Sequence, residues 1–214
     1  TIKVKPQVMV VTQKGKISAL PKVKRREESL ATISPGKMNK EEAAGKTTSD
    51  LYVDSTSNAE YGDDFVDATG KAGKVGQGQE ILGRDTNDDD YIRLPETVLN
   101  GETDVTISYW FQSAITASQG VVSGNNNNAI LLFQQDDQIQ LYAVGAGPTF
   151  SYPTTNDGEF HHMTVVRNDT ANEWEVFIDG ESVAAPQADV LSAISIGTAD
   201  CLVLGQELDS CAGP

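Results

Sequence analysis

The chain is poor in the features that mark several protein classes. Of its 214 residues, two are cysteines and two are histidines. Two cysteines exclude a dense disulfide scaffold. Two histidines leave few arrangements for acid–base or nucleophilic chemistry, and no Ser-His-Asp or Cys-His constellation is legible. No run of about 18 apolar residues exists, which excludes a membrane-spanning helix. Helical 3.6-residue periodicity is almost missing; only 37–46 looks helical, and it is short. Cationic residues are scarce, with 16 Lys and Arg against 31 Asp and Glu, a net charge of −15. That balance argues against nucleic-acid binding by the domain as a whole. The sequence opens at Thr1 without an apolar leader, so an export signal is expected to be absent or already removed.

The charge is distributed unevenly. Residues 1–46 carry 11 basic and 4 acidic side chains, a net +7, which leaves −22 for the rest. Such asymmetry marks a polycationic arm on an acidic body. Between Gly15 and Lys46 the composition is rich in Lys, Pro, Ser, Glu and Gly. It offers too little apolar surface to offset the entropy of ordering. We therefore divide the chain into a basic extended arm at 1–47 and a body at 48–214. The arm carries strand signals at 2–12: Ile2-Lys3-Val4-Lys5 alternates, and Val8-Met9-Val10-Val11 is a short β-branched run. Pro6 between them suits an edge strand, since proline cannot donate to a ladder. Two readings of the arm stand: a solvated linker, or a segment that docks on an acidic surface, including a second copy of the body.

The body reads as β. Val105, Ile107, Tyr109 and Phe111 alternate onto one face, with Thr106, Ser108 and Trp110 on the other. Further strands are expected at 91–94, 129–134, 138–144, 160–167, 173–178 and 201–204. Turn residues separate them at 125–128, 136–137, 145–148, 156–158 and 179–180. Asp179-Gly180 between apolar runs predicts a hairpin over 173–185. Many short strands suggest an antiparallel sandwich.

Five segments then resemble laminin G-like and pentraxin-like domains of the concanavalin A-like class. They are Asp90-Tyr91-Ile92-Arg93-Leu94-Pro95, the run Val105–Phe111, Phe160–Arg167, Trp174–Gly180 and Leu202–Ser210. The last, Leu-Val-Leu-Gly-Gln-Glu-Leu-Asp-Ser, is the most specific. The resemblance covers roughly 50–214. It implies an all-β fold, an antiparallel two-sheet jelly-roll sandwich with the extended basic arm attached. It also implies a binding module for glycan, phospho-ligand or protein. In pentraxin-like members calcium is held by an acidic-amide pair before one strand and by the acidic residues after Leu-Gly-Gln. By resemblance these are Asn127 and Asn128, then Glu207, Leu208 through its carbonyl, and Asp209. Asn127 replaces the family's usual Asp, which removes a charge and weakens a site whose affinity follows ligand charge. The family also continues with a further ligand-bearing loop and a closing strand, whereas this sequence stops at Pro214. The segment Val8–Thr12 could fill the vacated edge, from its own chain or from a neighbour by strand addition.

Other motifs weigh less. Asp85, Asn87, Asp89 and Glu96 fall at positions 1, 3, 5 and 12 of an EF-hand loop. Position 6, however, is Asp90 rather than the required glycine. His161 and His162 are adjacent on a strand and point to opposite faces, so they do not chelate one ion. Glu173, Glu175 and Asp179 lack the spacing of paired glycanase carboxylates, because Phe177 takes the next same-face position. Cys201 and Cys211 bracket the calcium-like segment. They suggest a disulfide clip worth roughly 3 kcal/mol rather than a zinc site. A disulfide suits an oxidising compartment or an exterior surface. Asn168-Asp169-Thr170 fits a glycosylation sequon. Trp110, Tyr142 and Tyr152 are the aromatic candidates for a ligand groove.

The expected function is a non-enzymatic adhesion module that binds glycan or a surface protein. It is expected to be displayed outside the cell, on a cell surface or on a virion, with calcium as the one candidate cofactor. The alternative is a structural subunit of a virion or filament, assembled through residues 1–46, with Val8, Met9, Val10, Val11, Lys24, Arg25 and Arg26 as contacts. Neither reading involves membrane insertion.

Overall fold

The computed structural model describes residues 7–11, 63–65, 69–74, 77–81, 91–124, 129–143, 145, 147–189, 193–197 and 201–207. Within them the strands, in chain order, are β1 (Gln7–Val11), β2 (Asp63–Phe65), β3 (Thr69–Ala72), β4 (Gln77–Glu80) and β5 (Tyr91–Leu94). Then come β6 (Val105–Gln112), β7 (Gln119–Gly124), β8 (Ile130–Gln134), β9 (Gln138–Ala143) and β10 (Thr149–Ser151). The last are β11 (Phe160–Asn168), β12 (Glu173–Ile178), β13 (Glu181–Ser182), β14 (Gln187–Ala188) and β15 (Leu202–Leu204). A short 3₁₀ turn spans Glu96–Val98.

Two antiparallel sheets form a jelly-roll sandwich. One runs β1-β6-β11-β12-β13, with β14 also on β12; the other runs β10-β9-β8-β7-β15-β5-β2. A separate hairpin joins β3 to β4. The expected alternation in β6 holds: Val105, Ile107, Tyr109 and Phe111 are buried. They share one apolar core with Met163, Val165, Trp174 and Val176 of the same sheet and with Ile92, Leu132, Leu141, Leu202 and Leu204 of the other. Each such side chain contributes roughly 1.5–3 kcal/mol on burial. The Tyr109 hydroxyl is inside as well. It donates to Gln134 Oε1 at 2.9 Å, and burial pushes its pKa well up.

The hairpin at Asp179-Gly180 has the expected two-residue turn. Its central residues have φ of 52° and 88°, and Ile178 pairs with Glu181. Short polar side chains tolerate this left-handed region better than apolar ones, and glycine tolerates it freely. Two expected strands begin one residue late: Ala129 and Cys201 precede β8 and β15. β7, Gln-Gly-Val-Val-Ser-Gly, carries no clear strand signal and yet sits between β8 and β15. Of the expected arm strand at 2–12, Gln7–Val11 is β1, antiparallel to β6 with Val8 opposite Tyr109 and Val10 opposite Ile107. The helical-looking stretch 37–46 and the linker 13–47, with Lys24, Arg25 and Arg26, lie outside the described residues.

One inward position breaks the apolar pattern. Arg167 of β11 follows Met163 and Val165 into the interior and is 1% exposed. Its Nε donates to Asp189 Oδ2 at 2.9 Å, and its guanidinium carbon lies 5.5 Å from the Trp174 ring centroid. Asp189 is fixed in turn by its N–H, which donates to the Asn172 carbonyl.

Candidate ligand-binding face

The residues of β6 and β11 that point away from the core make the most developed surface site. Cross-strand register places Trp110 opposite His162 and Ser108 opposite Thr164. It continues across β12, with Phe177 opposite Thr164 and Glu175 opposite Val166. Trp110, His162, Thr164, Val166, Glu175 and Phe177 are all half-buried, as the outward row of a sheet with a partly covered face would be. The Trp110 and His162 rings lie 4.9 Å apart at 54°. Ser108 Oγ joins His162 Nε2 at 2.9 Å and Thr164 Oγ1 at 3.1 Å. Lys74, from the β3–β4 turn, sets its Nζ 5.6 Å from the Trp110 centroid. The result is an aromatic plate edged by hydroxyls, an imidazole and an ammonium group.

His161 faces the other way, as adjacent strand residues must. Its ring lies 5.9 Å from that of Phe111. Nδ1 meets Asp179 Oδ2 at 2.7 Å and Nε2 meets Asp157 Oδ1 at 3.3 Å. Asp179 Oδ1 also accepts the His162 backbone N–H at 2.8 Å. This clasp ties the β12–β13 turn to the loop before β11. Burial alone would lower the His161 pKa; the hydrogen bond and charge of Asp179, then those of Asp157, outweigh it and raise the value. Stability from the clasp is therefore complete below the ordinary value of 6.5 and is lost as pH rises through the raised value. For His162 the balance is opposite: burial dominates and lowers the pKa, with Asp179 opposing. Histidine NMR is expected to show the two neighbours titrating on opposite sides of 6.5. Asp179→Asn should lower both midpoints; unchanged midpoints in that variant would refute the clasp.

The other candidates are dispersed. Tyr142 is half-buried on the outward side of the seven-stranded sheet, opposite Leu131, and so away from Trp110. Tyr152 is a correction to the expected groove residue. It belongs to the core cluster, and its hydroxyl donates to the carbonyls of Gln138 at 2.9 Å and Gln135 at 3.0 Å. Burial, then the Asp137 charge, pushes its pKa far up. Its hydroxyl staples a loop rather than meeting solvent. Cys201 is buried with Tyr91 and Val203 and is disulfide-bonded; Cys211 lies outside the described residues.

Of the calcium candidates, Glu207 is half-buried, while Asn127, Asn128, Leu208 and Asp209 lie outside the described residues. The backbone around them is informative. Gly124, where β7 ends and the Asn segment follows, pairs with Leu202 at the start of β15. Glu207 follows the far end of β15, where its N lies 2.5 Å from the position of a Cβ added to Gly120. Gly124 and Glu207 thus flank opposite ends of the β7–β15 ladder, while the disulfide of Cys201 ties the chain beyond Glu207 to the Gly124 end. No group of three or more His, Cys, Asp or Glu poised for a metal occurs among the described residues. Trp110 was visible in the sequence by its phase with Ser108 and Thr106. The contribution of His162, Thr164 and Lys74 was not, because it depends on which strands are neighbours.

The family model described as the concanavalin A-like lectin/glucanases superfamily, of the laminin G type, matches residues 85–212. In the rat protein named "Sushi, von Willebrand factor type A, EGF and pentraxin domain-containing protein 1", 114 residues are 32% identical. That match covers 49% of this chain and 3% of the relative, so the chain spans a small fraction of that protein. The mouse protein of the same name is 31% identical over 114 residues, with the same coverage of both. Among solved structures, domains LG4-5 of the mouse laminin alpha1 chain align with a TM-score of 0.42 and 16% identity, covering 53% of this chain and 31% of that one. Domain 4 of AbnA, a GH43 extracellular arabinanase of Geobacillus stearothermophilus in complex with arabinotriose, aligns with a TM-score of 0.44 and 14% identity. It covers 65% of this chain and 66% of that one. Domains of the laminin G type commonly bind glycans or proteins, and often calcium. No helix among the described residues is long and apolar enough to cross a membrane. The family match spans more than half of the sequence, and the chain belongs to the laminin G family of the concanavalin A-like lectin/glucanases superfamily.

Proposed function

We propose that this chain is a non-enzymatic, surface-displayed module that binds glycan on the outward face of β6 and β11. The observation that carries the reading is the half-buried Trp110 ring with Ser108, Thr164 and His162 beside it. The C–H edges of a sugar ring suit the negative face of an indole, and its hydroxyls find donors and acceptors in the neighbouring side chains. This is the common composition of a small-ligand site, an aromatic surface with a few placed polar groups. The outward side of β12 offers Glu173 and Glu175 along one strand with Phe177 next on the same face, without the spacing of paired glycanase carboxylates. Glu207, the described member of the calcium set, is not among these residues, and binding is expected to survive chelation.

Truncating a buried aromatic anchor typically costs at least about 2 kcal/mol, or about 30-fold in affinity. Trp110→Ala should therefore lower affinity for an oligosaccharide selected from a glycan array by that factor while the melting temperature changes little. Undiminished binding by the variant would defeat the reading. A second reading, a subunit that assembles through its arm, is favoured by one observation: β1 is an edge strand among the described residues, and 51 residues separate Val11 from Asp63.

A further inference from the structure

We propose that β1 is an exchangeable strand, and that copies of this chain associate by donating Gln7–Val11 to the β6 edge of a neighbour. Among the described residues β1 ends its sheet and pairs with β6 alone, through five register positions from Gln7–Trp110 to Val11–Thr106. On its other side β6 is held by β11 along eight positions. Removing β1 leaves the remaining sheet intact and exposes one open edge of β6. An open edge beside buried Ile107 and Tyr109 is a ready template for a strand of matching pattern. The segment that matches it in this chain matches it equally well in every other copy.

The tether permits either destination. Fifty-one residues extend to at most roughly 180 Å, far more than either destination requires. A connection of this length holds its strand at an effective concentration on the order of millimolar or less. Copies crowded to that density therefore compete on equal terms. The +7 at 1–46 meets −22 on its own body and on a neighbour's alike, so arm–body attraction is the same in both states. What the dimer adds is repulsion between two chains of net −15. Salt should accordingly not weaken exchange, as screening of that repulsion shortens to about 3 Å at 1 M. The pairing is isologous: each copy gives one strand and receives one, and two copies close a dimer.

The test uses full chains carrying single substitutions at one register pair, Val11→Cys in one preparation and Thr106→Cys in another. They are mixed at about 1 mM, near the tether's own effective concentration, incubated and then oxidised. The result expected is a disulfide-linked dimer that needs both variants and does not fall when mixing is done in about 1 M salt. The chain carrying both substitutions is oxidised in parallel at high dilution, where it should close on itself. Closure of the double variant without any mixed dimer would overturn the proposal, since β1 would then stay with its own body. Failure of both would overturn it too, because β1 would not occupy the β6 edge.

Discussion

Asp189→Ala should destabilise the protein by about 3–5 kcal/mol, the cost of removing one partner from a buried ion pair. Arg167 and Asp189 have side-chain exposures of 0% and 3% and meet at 2.9 Å. The guanidinium cannot lose its charge, so without the carboxylate it must stay buried without that counter-ion or drag β11 towards solvent. Domains are stable by only about 5–15 kcal/mol in total, so this single change removes a large share. For a domain of this size the melting temperature should fall by roughly 6–20 °C. A paired replacement by apolar residues, Arg167→Met with Asp189→Leu, should recover most of the loss, because filling the site with apolar side chains removes the need for a counter-charge. Denaturant midpoints of the single and double variants measure both effects. A shift within about 0.5 kcal/mol for Asp189→Ala, the range of ordinary surface changes, would show that the pair is not buried as described.

Gly205→Ala should cost about 2–5 kcal/mol, for two separable reasons. Gly205 has φ of +90°, a conformation that costs a residue bearing a Cβ roughly 1–2 kcal/mol. The new Cβ would also lie 2.1 Å from Ile81 Cδ1, so the Ile81 side chain has to move. Overpacking of this kind adds about 1–3 kcal/mol. Ile81→Val removes that methyl and is expected to relieve the second part but not the first. The double variant should therefore remain about 1–2 kcal/mol less stable than Ile81→Val alone. Equal stability of those two proteins would mean that the backbone at Gly205 relaxes out of the left-handed region. The Leu-Gly-Gln segment that most marked the family is thus explained in this chain by packing: its glycine lets the chain turn under Ile81 at the end of β15.

Several of these features could be read from the sequence, for local reasons. β6 declared itself because four apolar side chains alternate with polar ones along a half-buried strand. The β12–β13 hairpin declared itself because Asp-Gly suits two successive positive φ values. β7 did not, since its glycines and serine resemble a loop. Gly120 is needed there because Glu207 passes so closely. Arg167 closes the expected strand 160–167 without a sign of burial, since its partner Asp189 sits 22 residues away in a stretch without periodicity. Tyr152, beside a Gly-rich turn, read as a surface aromatic; the carbonyls of Gln135 and Gln138 that take its hydroxyl come from the β8–β9 turn. The calcium set came from family order along the chain, and of its five residues only Glu207 is among the described ones. The outward face was half legible. The phase of Trp110 placed it away from the core, and only the pairing of β6 with β11 supplied His162 and Thr164.

The central claim is that ligand recognition takes place on the β6–β11 face without calcium. It is tested most directly by following the two indole N–H resonances during an oligosaccharide titration in the presence of a chelator. Trp174 is 1% exposed and serves as the internal reference. The account predicts that the Trp110 resonance and the His162 ring shift together and saturate, with Trp174 still and no change on adding calcium. Shifts confined to residues around Gly205–Glu207, appearing only when calcium is added, would contradict it.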